Sequence, residues 1–306
     1  MKLLVATEKP FAAVAVKGIK DIAEKAGLEF CLLEKYTNTS DLLAAVHDAT
    51  ALIVRSDKVT EEVINAAPEL KIVVRAGAGY DNVDLAAASK KGIVVMNTPG
   101  QNANAVAELV AGLLLFTIRN QFDGTSGTEL KGKKLGLVAF GAVAQNLARI
   151  AKGFGMDIAA FSPTGHPQKI EAAGFEVCTT MKALFETSDI VSLHIPANAQ
   201  TKGSIGYDLI SCMKPKAILA NSARKEIIDE EGFLRAFKER DDLRYVTDLK
   251  LDAHDAAVEA LGKRYVFTPK KMGAQTSEAN INAGLAAARQ IVAFLKDGDT
   301  TFQVNK

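Results

Sequence analysis

Residues 133–162, KKLGLVAFGAVAQNLARIAKGFGMDIAAFS, decide the fold. The short apolar run 135–140 reads as a buried strand. A turn of small residues follows, with Ala139, Gly141, Ala142 and Ala144. Val143, Leu147, Ile150, Ala151 and Phe154 then recur at helical spacing, and Gly155 ends that helix. Residues 157–162 read as a second strand. Strand, tight turn, helix and strand make one βαβ unit. Its turn aims backbone N–H groups at whatever lies above the helix N-terminus, an arrangement that suits a phosphate. The glycine fingerprint is eroded: the frame reads Ala139-Phe140-Gly141-Ala142-Val143-Ala144. Its central glycine is kept and alanine is tolerated at the third position, but alanine at the first crowds the turn. Ser162 stands where an acid would hold the ribose hydroxyls. On these residues alone, a dinucleotide site and an ordinary crossover without a ligand are equally consistent.

The pattern extends in both directions. Upstream, strands are predicted at 2–6, 30–33, 51–54, 72–74 and 93–95. Helices are predicted at 11–26, at 40–46 with Ser40 as cap, and at 60–66 with Thr60 as cap. Downstream, a long apolar helix at 104–118 precedes the central unit. Strands at 177, 189–195, 217–221, 244–248 and 265–268 follow it. Helices are predicted at 181–186, 229–237 and 277–295, the last capped by Thr276 or Ser277. Strands alternating with helices mean parallel sheets covered on both faces, hence an α/β protein with two open parallel-sheet units. Ligands in such sheets sit beyond the strand C-termini, where Arg55, Ser56 and the loop Gly77-Ala78-Gly79 fall.

Composition narrows the function. The 306 residues are 48% hydrophobic with net charge +1, which argues against nucleic-acid and membrane-surface partners. No apolar run approaches the roughly 18 residues of a spanning helix. The N-terminus turns polar at Thr7, Glu8 and Lys9, too early for a secretory signal. Cys31, Cys178 and Cys212 are scattered, and His47, His166, His194 and His254 lack metal-ligand spacing. No metal and a cytoplasmic location are expected.

Segments spread along the chain then carry a resemblance. VRS, KIVVRAGAGYDNVD, VVMNTPGQN, VAEL, ELKGKKLG, SLHIP, NSARKEIIDEEG and TPKKMGAQTSEANINAG occur in order, and FQVNK closes the sequence. In these the chain resembles the D-isomer-specific 2-hydroxyacid dehydrogenases, and within them the short members that oxidise D-3-phosphoglycerate and lack a regulatory domain. The resemblance implies a Rossmann-type cofactor domain, residues 97–279, inserted into a flavodoxin-like substrate domain, residues 1–96 and 280–306. It implies a hydride passed between C2 of a 2-hydroxy acid and a nicotinamide cofactor, and a homodimer.

The same resemblance assigns roles. Arg224 matches the arginine that binds the substrate carboxylate, work suited to a fixed guanidinium. Lys271 takes the place of the usual histidine base, in Thr268-Pro269-Lys270-Lys271-Met272-Gly273. The glutamate that normally orients that histidine is missing, with Ala253 at its position. A lysine, ordinarily near 10.4, acts as a base only if burial or a cation lowers its pKa; otherwise it stays charged and stabilises an alkoxide. Arg55, Ser56, Lys58, Gly77, Ala78, Gly79 and Asn102 match the substrate pocket, and the basic pair Arg55 and Lys58 suits a phosphorylated acid. Gly141, Ala142, Val143, Ser162, His194, Ile195, Pro196, Ser222, Ala223, Asp248 and Gly273 match the cofactor site. Asp248 would meet the nicotinamide carboxamide. The expected cofactor is NAD, with NADP admitted because Ser162 carries no charge to repel a 2′-phosphate. Two alternatives stand: a glyoxylate or hydroxypyruvate reductase, and a non-catalytic dinucleotide-binding regulator.

Overall fold

A computed structural model describes residues 1–306. The chain forms two compact units, Met1–Asn102 with Ala274–Lys306, and Ala103–Gly273. The loop 98–102 belongs with the first unit because Thr98 N–H donates to the Gly77 carbonyl at 2.9 Å. Thr276 belongs there too, since its side chain accepts from Ala279 N–H at 3.1 Å and caps the last helix. By packing, the two units divide at 102/103 and 273/274.

The first unit begins with strands β1 (Lys2–Thr7), β2 (Glu29–Glu34), β3 (Ala51–Val54), β4 (Ile72–Arg75) and β5 (Val94–Asn97). Between them run α1 (Ala13–Lys25), α2 (Thr39–Val46), α3 (Glu61–Asn65) and α4 (Leu85–Lys90). All strands are parallel, in the flavodoxin order β2-β1-β3-β4-β5. Central strands are apolar throughout because helices cover both faces: Leu52, Ile53, Val73 and Val74 are fully buried. Truncating Leu52 or Ile53 to alanine costs about 2–5 kcal/mol. Thr60 caps α3 through Val63 N–H as predicted. Ser40 does not cap α2. That helix starts at Thr39 and its N-cap is Asn38, whose side chain makes no capping bond.

The second unit comprises α5 (Ala103–Ile118), β6 (Lys134–Val138), α6 (Ala142–Gly153), β7 (Asp157–Phe161), α7 (Gln168–Ala172) and β8 (Glu176–Val177). It continues through α8 (Met181–Thr187), β9 (Ile190–Leu193), α9 (Tyr207–Ser211), β10 (Ile218–Asn221), α10 (Glu230–Glu239), β11 (Arg244–Thr247), α11 (His254–Leu261) and β12 (Tyr265–Phe267). Its seven parallel strands run β12-β11-β10-β9-β6-β7-β8. The order reverses between β6 and β9, and that switch point is where such sheets bind nucleotides. The turn after β6 and the segment His194-Ile195-Pro196 after β9 flank it.

Helix α12 (Ser277–Asp297) completes the first unit. It lies close against α1: a Cβ at Gly284 would stand 3.0 Å from Ile19 Cδ1. The tail then seals the edge of β5, with Val304 N–H donating to the Val95 carbonyl at 2.8 Å.

Candidate active site

In the second unit the turn after β6 is built on a left-handed alanine. Ala139 has φ +72°, and its N–H donates to the Phe161 carbonyl at 2.8 Å. Gly141 is the N-cap of α6 and brings no side chain to satisfy the helix N-terminus. A Cβ there would meet no heavy atom within 4 Å, so this face is open. Ala142 and Val143 form the first turn of α6. The N-terminus borders a cavity of about 290 Å³ lined by Gly141, Ser162, Lys169, His194, Ile195 and Pro196. Ser162 Oγ accepts from His166 N–H at 3.2 Å. The His194 Nε2 atom is buried without a partner, and burial pushes its pKa down to about 4, so the ring is neutral at pH 7. Open helix N–H groups, a neutral imidazole and hydroxyls fit a dinucleotide.

Past β10 a buried asparagine sets the next turn. Asn221, 1% exposed, accepts from Ala223 N–H at 3.0 Å through Oδ1 and donates to the Arg224 carbonyl at 2.9 Å through Nδ2. Its own carbonyl accepts the Thr247 hydroxyl at 2.6 Å, tying β10 to β11. The Ser222 hydroxyl is buried and unpartnered. Arg224 is exposed, and its guanidinium donates to the Ala223 carbonyl at 2.8 Å rather than pairing with Glu226 or Asp229. Asp248, 2% exposed, does not cap a helix. Its Oδ2 accepts from Gly273 N–H at 2.8 Å and Met272 N–H at 3.2 Å, while Oδ1 is buried without a partner. Lys271 lies in the loop directly before those two N–H groups, exposed like Lys270. The loop that has Ala253 in place of an orienting acid is held by Glu230, whose carboxylate accepts from Asp252 N–H at 2.9 Å and Ala253 N–H at 2.6 Å.

In the first unit Asp57, 5% exposed, anchors the loop that carries Arg55, Ser56 and Lys58. Its carboxylate accepts from Glu8 N–H at 2.6 Å, the Tyr36 hydroxyl at 2.8 Å and Arg55 N–H at 3.2 Å. The Arg55 guanidinium donates to the carbonyls of Lys9 and Pro10, both at 2.9 Å, and to Asn280 Oδ1 at 2.6 Å. Ser56 and Lys58 are exposed and line a cavity of about 340 Å³ with Glu8 and Tyr36; Arg55 does not line it. The Arg55 carbonyl instead accepts from Arg75 Nε–H at 3.0 Å. Gly77, with φ +152°, makes room for that side chain, because a Cβ there would overlap the Arg75 guanidinium. Asn97 Nδ2 donates to the Ala78 carbonyl at 2.6 Å, Gly79 is half-buried, and half-buried Asn102 directly precedes α5.

Arg75, Asp57, Asn221 and Glu230 were not singled out from the sequence. Arg75 and Asn221 each end a parallel strand, a position that signals a site, whereas Asp57 and Glu230 act through partners distant in sequence.

The open sheets, the switch-point cavity and the strand-end arginines define a nucleotide-binding α/β protein. Residues 7–305 match the profile of the D-isomer specific 2-hydroxyacid dehydrogenase, catalytic domain, and the chain belongs to that family. Among individual relatives, D-3-phosphoglycerate dehydrogenase of Methanocaldococcus jannaschii is 36% identical over 270 residues, which is 84% of this chain and 52% of that protein. Glyoxylate reductase of Thermococcus litoralis is 33% identical over 314 residues, 94% of this chain and 93% of that one. The structure of NAD+-bound 3-phosphoglycerate dehydrogenase from Entamoeba histolytica superposes with a TM-score of 0.85 at 47% identity, covering 100% of this chain and 99% of that one. The chain spans about half the length of the D-3-phosphoglycerate dehydrogenases of M. jannaschii and rat that it matches.

Proposed function

We propose that the protein oxidises D-3-phosphoglycerate at C2 to 3-phosphohydroxypyruvate with NAD. The observation that carries this reading is the turn clamped by Asn221, which presents Arg224 at the strand-end edge of the unit that bears the dinucleotide cavity. A bound nicotinamide supplies the hydride acceptor. Gly141, Ala142, Val143, Ser162, His194, Ile195 and Pro196 would hold the adenosine and pyrophosphate, and Ser222, Ala223, Asp248 and Gly273 the nicotinamide end. Arg224 pairs with the substrate carboxylate. Lys271 takes the hydroxyl proton or, staying charged, stabilises the alkoxide. Arg75 and Lys58 supply cations that a phosphorylated acid needs and that glyoxylate does not, which favours phosphoglycerate over the glyoxylate reductase reading; Arg55 joins them only by giving up its bonds to Lys9, Pro10 and Asn280. Ser56, Gly77, Ala78, Gly79 and Asn102 complete the substrate loops. We place the enzyme in the cytoplasm as a homodimer; its three cysteines are free thiols, and no helix is long and apolar enough to cross a membrane.

Calorimetric titration tests the two halves separately. NAD binds, and 3-phosphoglycerate binds the NAD complex more tightly than glyoxylate does; the reverse ranking would favour the reductase. Discrimination between NAD and NADP is poor, and Ser162→Asp shifts preference to NAD. A hundredfold wild-type preference for NAD, about 2.7 kcal/mol, would mean that another residue reads the ribose.

A further inference from the structure

Asp248 has more to do than meet a cofactor. It directly follows β11 as one of the most deeply buried carboxylates in the chain, 2% exposed. A charge so buried requires donors. It finds them on one side only: Oδ2 accepts from Gly273 N–H at 2.8 Å and from Met272 N–H at 3.2 Å. Those are the two backbone donors immediately after Lys271. Position 273 is glycine for space. A Cβ would lie 3.0 Å from Asp248 Oδ2 and 3.3 Å from Val106 Cγ2, so a side chain would fit only if these neighbours gave by a few tenths of an ångström. At its other end the loop is held by Thr268 N–H donating to the Thr247 carbonyl at 3.2 Å. Both ends are thus tied to residues at the end of the same strand. The second oxygen, Oδ1, is equally buried and has no partner.

We propose that Asp248 is a positioning residue that couples cofactor binding to the placement of Lys271. Oδ2 holds the Met272 and Gly273 amides, and Oδ1 waits for an amide N–H donor of the cofactor. A donor at Oδ1 fixes the plane of the carboxylate, and with it the two N–H groups that set the backbone of Lys271. This coupling rests on the dehydrogenase reading given above. It concerns how the proton-transfer side chain is placed, not which substrate is oxidised.

Hydrogen exchange and a mutant cycle test it. Without cofactor, the amides of Met272 and Gly273 should exchange at least tenfold faster in Asp248→Ala than in wild type. Asp248→Asn, which keeps one carbonyl acceptor in the same shape, should be intermediate. Adding NAD should slow exchange at these amides in wild type and not in Asp248→Ala. In turnover, Asp248→Asn should lower kcat about thirtyfold in the wild-type background and less than threefold in the Lys271→Ala background, since residues acting through one another are not additive. KM for the hydroxy acid should stay within threefold. Equal exchange in Asp248→Ala and wild type, or the same loss of kcat in both backgrounds, would overturn the proposal. If Asp248→Ala fails to fold, the isosteric Asp248→Asn decides by the same two readouts. If wild type turns over no 2-hydroxy acid, the dehydrogenase reading falls, while the exchange rates without cofactor still decide whether Asp248 holds the loop.

Discussion

Asn221 and Arg224 form a buried clamp and an exposed cation: Nδ2 of the asparagine donates to the arginine's carbonyl at 2.9 Å. With Oδ1 taken by Ala223 N–H, the whole amide serves the turn. Asn221→Ala should therefore leave two backbone groups without partners and cost about 2 kcal/mol of stability. It should also lower turnover at least tenfold by releasing the arginine. Asn221→Asp keeps the acceptor but sets a buried carboxylate oxygen against the Arg224 carbonyl, so it should cost at least as much stability as the alanine. Chemical denaturation with parallel assays checks this; a stable, fully active Asn221→Ala would refute the clamp.

Asp57 plays the corresponding part in the first unit. Three donors converge on its carboxylate, from Glu8, Tyr36 and Arg55. Asp57→Ala leaves all three unmet, the Tyr36 hydroxyl among them, and should destabilise the protein by about 3 kcal/mol. Asp57→Asn should cost less. Thermal unfolding of both variants gives the comparison, and equal, negligible shifts would show that the loop holds itself.

Ala139 takes φ +72°, a conformation that an L-residue adopts at a cost of about 1–2 kcal/mol and glycine adopts freely. Ala139→Gly should raise stability by about 1 kcal/mol, less glycine's greater entropy in the unfolded chain. It should also tighten NAD binding by removing the methyl group from the turn. A lower melting temperature together with weaker NAD binding would count against both effects.

His194 makes stability depend on pH. Burial lowers its pKa to about 4, so the unfolded chain takes up a proton near pH 6.5 that the folded chain refuses. Stability is then lost as pH falls from about 6.5 to about 4, by up to about 3 kcal/mol. His194→Gln should flatten that part of the stability profile. An unchanged profile in the variant would show that other groups carry the acid sensitivity.

Much of the architecture can be read from the sequence because buried parallel strands are uninterrupted apolar runs; 51–54 and 135–138 need no other signal. The helices α4, α7, α9 and α11 escape such reading because they span five to eight residues and carry no extended apolar stripe. At the proposed site, Arg224 and Lys271 enter only through the order of the flanking motifs, as expectations that turnover must test, whereas the strain at Ala139 shows in the missing glycine. The work of Asp57 is not legible, because its donor at Glu8 lies 49 residues away and only the folded sheet brings the two together. The placement of Arg75 likewise depends on a carbonyl 20 residues distant.

The central claim is C2 oxidation of D-3-phosphoglycerate with Arg224 as the carboxylate anchor, and initial rates of NADH formation test it most directly. Wild type should oxidise D-3-phosphoglycerate with higher kcat/KM than D-glycerate. Arg224→Ala should lose roughly thirtyfold or more in kcat/KM, as expected for a truncated charged anchor, with NAD affinity nearly unchanged. No NADH from wild type with D-3-phosphoglycerate, or an Arg224→Ala rate equal to that of wild type, would contradict it.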